Sequence, residues 1–125
     1  GMSLGEFFTL DIASEPRTFF RRDELTEIAR GAISYRQVGR AGSSSIQLLH
    51  ETYQPGAESG RVMLSHEGEE GGVIISGRLE VTVGDECRVL AAGEAYLFSS
   101  RKPHRFRNVG REPCVVVSAC TPPSF

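Results

Sequence analysis

The residues of this sequence best suited to chemistry lie in two stretches, residues 65–77 (SHEGEEGGVIISG) and 103–108 (PHRFRN). The first carries His66 and Glu70, four residues apart among glycines, and runs into an apolar, β-branched segment. The second carries His104, with Asn108 four residues on. Imidazole and carboxylate groups are the usual ligands of catalytic zinc and of non-haem iron or manganese. Two histidines and one carboxylate form a set that leaves coordination positions open for water or a ligand. Without a metal, the same three side chains would line a polar binding pocket. The stretches are too far apart for one local metal loop, so a fold has to bring them together.

The elements that must do so read as strands. Residues 32–38, 45–53, 61–65, 72–76, 78–83, 87–90, 95–99, 103–109 and 114–120 are short apolar or alternating runs, separated by Gly, Pro, Ser and Asp turn signals. Residues 78–83 alternate cleanly, with Leu79, Val81 and Val83 on one face. On 103–109, His104, Phe106 and Asn108 share a face, and Arg105 and Arg107 share the other. The core is therefore expected on the face of Leu79, Val81, Val83 and Phe106. Many short strands at such spacing predict an all-β sandwich or barrel. Ahead of them, residues 17–22 are expected to form a first strand with Phe19 and Phe20. Asp23 is expected to cap a short helix through Ile28 that Gly31 ends. If Ile46 and Leu48 face inward, His50 does too, which makes it a candidate fourth ligand.

Composition narrows the function classes. The chain has 125 residues, enough for one domain and too few for two. A formal net charge of -2 with mixed signs gives no reason to expect a nucleic-acid surface. No apolar run approaches membrane-spanning length, and the N-terminus lacks the basic head and apolar core of a signal peptide. A cytoplasmic protein with no membrane contact is expected. Gly1-Met2 reads as a tag-cleavage scar. The three cysteines, Cys87, Cys114 and Cys120, form no C-x-x-C pair, so buried thiols in a reducing compartment are expected rather than disulfides or structural zinc. No serine or cysteine sits in a nucleophile elbow.

The spacing Gly60-x5-His66-x3-Glu70-x6-Gly77 resembles the first motif of the cupin superfamily, and Gly93-x10-His104-x3-Asn108 resembles the second. The resemblance implies a double-stranded β-helix, the RmlC-like jelly-roll barrel, with one short N-terminal helix. It implies a metal cluster in the barrel mouth, held here by His66, Glu70 and His104, with zinc, nickel, iron or manganese as the divalent candidates. Two departures stand out. The first motif histidine falls at Leu64, which cannot bind metal. The usual proline and glycine of the second motif fall at Ser99 and Arg101.

Within the superfamily, five stretches resemble the sensor domains of helix-turn-helix transcription regulators of the putrescine-utilisation repressor type. They are ETYQPG at 51–56, HEGEEGG at 66–72, AGEAY at 92–96, PHRFRN at 103–108 and the tail TPPSF. The likeness implies that residues 1–16 are the linker tail of an absent DNA-binding domain and that 17–125 form the barrel. It implies a small-molecule effector, with a polyamine as one class. It also implies a homodimer that does not bind DNA through this chain alone. A diamine needs carboxylates at its ends and aromatic walls between them, and Glu70, Glu51, Tyr53, Tyr96 and Phe98 are the candidates. The residues before Gln54 offer Phe19, Phe20 and Tyr35 as apolar surface for a dimer. Two rival readings remain. One is a small cupin metalloenzyme of the dioxygenase or isomerase type, with His66, Glu70 and His104 as its metal triad. The other is a metal-binding structural dimer without turnover.

Overall fold

The computed structural model describes residues 17–40, 42–59 and 67–123. The expectations for residues 1–16, for a strand at 61–65 and for His66 lie outside the described residues. Ten strands are described: β1 (Thr26–Arg30), β2 (Ile33–Gln37), β3 (Gln47–Tyr53), β4 (Glu58–Ser59), β5 (Glu69–Ser76), β6 (Arg78–Val83), β7 (Glu86–Ala91), β8 (Ala95–Ser99), β9 (His104–Arg107) and β10 (Cys114–Thr121). They form a six-stranded sheet in the order β1-β2-β3-β10-β5-β8 and a four-stranded sheet in the order β4-β9-β6-β7. All pairs are antiparallel. The two sheets face each other across one core, which is the jelly-roll arrangement expected from the strand pattern.

Period-two alternation decides what faces that core. On β2, Ile33, Tyr35 and Gln37 are buried, and on β3 so are Gln47, Leu49, Glu51 and Tyr53. The four-stranded sheet contributes Leu79, Val81, Leu90 and Phe106. Tyr53, Ile74, Leu79, Val116 and Cys114 are fully enclosed at the centre. The expected core face of Leu79, Val81 and Phe106 is thus the observed one, with Val83 packed at its margin.

Two loop features hold the sheets in register. The chain crosses from one sheet to the other at Gly77, whose φ is 82°. A Cβ there would lie 2.7 Å from the Pro113 carbonyl oxygen, so only glycine fits. Asn108 is buried and fully used. Its amide donates to the carbonyls of Tyr53 at 2.9 Å and Glu112 at 2.8 Å, and its Oδ1 accepts from the Gly110 amide at 2.8 Å. This motif residue therefore staples loops rather than facing a ligand.

The N-terminal expectations need correction. Residues 17–21 form no strand, and a single 3-10 turn at Arg22–Glu24 stands where a helix to Ile28 was expected. Glu24 accepts from the Arg21 amide and the Arg17 guanidinium, both at 2.8 Å, which closes the turn at once. Thr26 and Ile28 are β-branched, and β1 pairs residue by residue with β2. Gly31, at φ 60°, is the hairpin glycine rather than a helix stop. Tyr35 is buried, not surface, whereas Phe19 is 85% exposed. Cys114 alone of the thiols is buried; Cys120 is partly so and Cys87 is exposed. Among the described residues no helix is long and apolar enough to cross a membrane.

Candidate ligand site in the barrel mouth

A cavity of about 380 Å³ opens between the sheets. Glu51 and Tyr53 reach it from β3, Glu70 from β5, Tyr96 from β8 and His104 from β9. Each gets there by strand alternation. Glu70 shares the inward face of β5 with Gly72 and Ile74. The strand begins at Glu69, earlier than the apolar run suggests, because β10 carries pairing through Cys120↔Glu70 and Thr121↔Glu69. Gly72 has a specific role: a Cβ there would sit 2.6 Å from the Tyr96 ring, so the absent side chain is what lets Tyr96 lie across β5.

Glu51 is the most unusual group. It is 6% exposed, accepts a hydrogen bond from the Tyr53 hydroxyl at 3.0 Å, and accepts a second from the Ser118 hydroxyl. Burial pushes its carboxyl up to about 7. The two hydroxyls pull it back, and the nearby Glu70 adds to the rise. Burial also drives the phenols of Tyr53 and Tyr96 well above their ordinary range, with Glu51 adding to both. Tyr53 extends the network to Ser59, whose hydroxyl is 3.4 Å away.

Glu70 and His104 meet across the two sheets, with Oε2 and Nε2 3.0 Å apart. His104 Nδ1 lies 2.8 Å from the Lys102 carbonyl, which only accepts, so Nδ1 carries a proton. The hydrogen bond to Glu70 raises the imidazole above 6.5; burial opposes the rise and the Lys102 carbonyl supports it. Phe98 stacks behind His104 with ring centroids 4.9 Å apart, and Tyr96 packs on Phe106 at 5.2 Å.

Of the sequence candidates, Glu51, Tyr53, Glu70, Tyr96 and His104 come together on one cavity. Phe98 does not line it; it supports His104 and Tyr96 from behind. His50 is on the wrong face to be a fourth ligand. Ile46 and Leu48 are 51% and 39% exposed, so β3 points Leu49 and Glu51 inward and His50 outward. Tyr35, Ser118 and Arg30 also line the cavity and were missed. The alternation that places Ile33 and Val116 inward would have found Tyr35 and Ser118.

A divalent metal fits the described residues in part. Glu70 Oε2 and His104 Nε2 converge, and the Lys102 carbonyl fixes the tautomer that leaves Nε2 as the ligating nitrogen. Among the described residues no third His, Cys, Asp or Glu joins them to make a metal-binding group.

Comparison with known proteins bears on what such a cavity is for. Residues 49–120 match the family model described as cupin domain. The chain is 32% identical, over an alignment of 127 positions, to the HTH-type transcriptional regulator PuuR of Escherichia coli strain K12; the match spans the whole chain and 68% of that protein. Among solved structures, it is similar to the cupin domain of an XRE family transcriptional regulator from Enterobacter cloacae. That likeness has a TM-score of 0.65 at 27% identity and covers 74% of this chain and 98% of the other. An RmlC-like cupin from Shewanella frigidimarina shares the fold with a TM-score of 0.73 at 16% identity, covering 89% of this chain and 96% of that one.

Proposed function

The chain belongs to the cupin domain family, and on that premise we propose that it is the effector-binding domain of a cytoplasmic transcription regulator whose cavity takes a small aliphatic amine, polyamines included. Two of the proteins named above are transcription regulators, and a net charge of -2 gives no reason to expect a phosphate-binding surface on this chain. DNA binding is therefore assigned to another part of the regulator.

The observation that carries the reading is that Glu51 and Glu70 face one cavity walled by Tyr35, Tyr53 and Tyr96. Carboxylates hold an ammonium group by charge-assisted hydrogen bonds worth about 1.5–3 kcal/mol, and aromatic faces add about 0.5–2 kcal/mol each. An arriving ammonium competes with the His104 imidazolium for Glu70, so binding favours the neutral imidazole. Calorimetric titration with linear amines tests the proposal. Glu70→Gln is expected to weaken binding roughly tenfold to a hundredfold. Unchanged affinity in that variant would reject Glu70 as the anchor.

The proposed unit is a homodimer. The outer face of the six-stranded sheet exposes Val73, Ile75, Leu97 and Val117, an uncharged strip suited to burial against a second copy. A monomer in light scattering would count against it.

The geometry of His104 favours a second reading, in which Glu70 and His104 hold a divalent metal together with His66, assigned by its spacing. Such a metal would supply Lewis-acid or ligand-anchoring chemistry. The chain's own contribution is the hydrogen bond from Nδ1 to Lys102, which keeps Nε2 aimed at the site. Metal analysis of the purified chain and of His104→Ala separates the readings. Stoichiometric zinc, nickel, iron or manganese that disappears in the variant supports the metal.

A further inference from the structure

We infer that a second groove, on the side of the barrel where both sheets end, binds a medium-chain aliphatic carboxylate whose anionic end is held by Arg88 and Lys102. The inference concerns a different site from the amine cavity and does not depend on that reading.

β8 ends the six-stranded sheet and β7 ends the four-stranded one. The chain joins these two edge strands through residues 92–94. Beside them lies a groove of about 560 Å³. Its apolar lining is Val81 and Val83 from β6, Leu90 from β7, and Ala95, Tyr96 and Phe98 from β8. Tyr96 is the one described residue that lines both this groove and the amine cavity. Its ring packs on Phe98, of the groove, at 5.8 Å and on Phe106, of the cavity, at 5.2 Å. An aromatic wall thus parts the two spaces.

Strand register gives the groove two unlike ends. β6 and β7 pair as Val83↔Glu86, Val81↔Arg88 and Leu79↔Leu90, so Glu86 and Arg88 share the inward face of β7 with Leu90. Gly84, just beyond Val83, donates its amide to the Pro103 carbonyl at 2.8 Å, which brings Lys102 to the same end as Glu86. Leu90 and Ala95 flank the connection at the other end. A ligand that suits this layout is charged at one end and apolar along the rest.

The sign of that charge follows from the lining. Two of its three charged side chains, Arg88 and Lys102, are cations, against the single carboxylate of Glu86. Among the described residues neither cation takes part in a salt bridge. The arginine fork is permanently charged and matches a carboxylate, whereas an arriving ammonium would meet net like charge. Apart from the Tyr96 phenol, no hydroxyl or amide side chain among the described residues lines the groove. The body of the ligand is therefore hydrocarbon, not a sugar or a nucleotide.

The test is titration of the intact chain with saturated monocarboxylates of six to ten carbons, below their micelle concentrations, and with the matched primary alkylamines. Calorimetry reads affinity and backbone amide NMR reads location. The carboxylates should give saturable shifts at Val83, Arg88, Leu90 and Phe98, and the alkylamines should not. Each added methylene should tighten binding about twofold to fourfold. Arg88→Gln and Lys102→Gln, both at exposed positions, should each weaken it roughly threefold to tenfold, and Glu86→Gln should tighten it. Each variant is checked for an unchanged thermal midpoint. Carboxylate shifts centred on Glu51 and Glu70, equal groove shifts with alkylamines, indifference to both cation variants, or no saturable binding at ten carbons would each overturn the inference. None of these carboxylate results bears on the amine cavity, so the two readings fail separately.

Discussion

Glu51→Gln offers a quantitative test of the cavity's electrostatics. In the folded chain burial lifts the Glu51 carboxyl from its ordinary 4.5 to about 7. Between those values the folded state keeps a proton that the unfolded state has released. The folded state thus binds more protons, and stability falls as pH rises through this window. At about 1.4 kcal/mol per pH unit, the loss is about 3 kcal/mol between pH 4.5 and pH 8. Glutamine cannot ionise, and the Tyr53 and Ser118 hydroxyls can turn to accept from its amide, so the variant should lack this loss. His104 contributes with the same sign. Its folded value is raised above 6.5, so its stabilisation is present below 6.5 and fades as pH rises through the folded value. That contribution remains in both proteins and cancels in the comparison. Urea unfolding of both proteins at pH 5, 6, 7 and 8 reads the effect directly. The variant should gain on the parent by about 2.5 kcal/mol across the series. Parallel stability curves, constant to within about 0.5 kcal/mol, would refute the claim that burial raises the Glu51 carboxyl to about 7.

Three further outcomes follow from the packing. Leu79→Ala should cost about 2–5 kcal/mol in urea unfolding, because Leu79 is fully enclosed between the sheets; a loss below half of one kcal/mol would mean the inward face is misassigned. Asn108→Ala strands two carbonyls and one amide, and should cost about 2–4 kcal/mol while leaving amine affinity near the parent value. Gly72→Ala puts a methyl group against Tyr96, so it should displace that ring, cost about 1–3 kcal/mol and weaken amine binding. Parent-like binding and stability in that variant would mean Tyr96 can lie elsewhere.

The middle and end of the chain were legible because each strand there buries one face. Leu79, Val81 and Phe106 alternate with polar residues, and one observation of period settles both strand and face. The site was legible by chemistry and motif spacing: Glu51, Tyr53 and Tyr96 are the carboxylate and aromatic groups a diamine needs, and the motif spacing brought Glu70 and His104 together. The N-terminal segment was not legible, because Asp23, Glu24 and Gly31 suit a helix as well as a tight turn and hairpin. The pairing of β1 with β2 decided it, a tertiary fact absent from local propensity. His50 failed on a wrong premise: Ile46 and Leu48 are apolar yet lie on the outer face, where hydrophobicity gives the opposite register. Phe98 shares a face with Tyr96, as read, but it packs against His104 and is not among the residues that line the cavity.

The central claim is that a small amine enters the cavity between Glu51 and Glu70. Backbone amide NMR during titration with a linear amine locates the binding site without assuming it. The account predicts saturable shifts at Glu51, Glu70, Tyr96, His104 and Ser118, lost together in Glu70→Gln. Shifts confined to a second groove, lined by Val83, Cys87 and Lys102, or no saturable shifts at all, would contradict it.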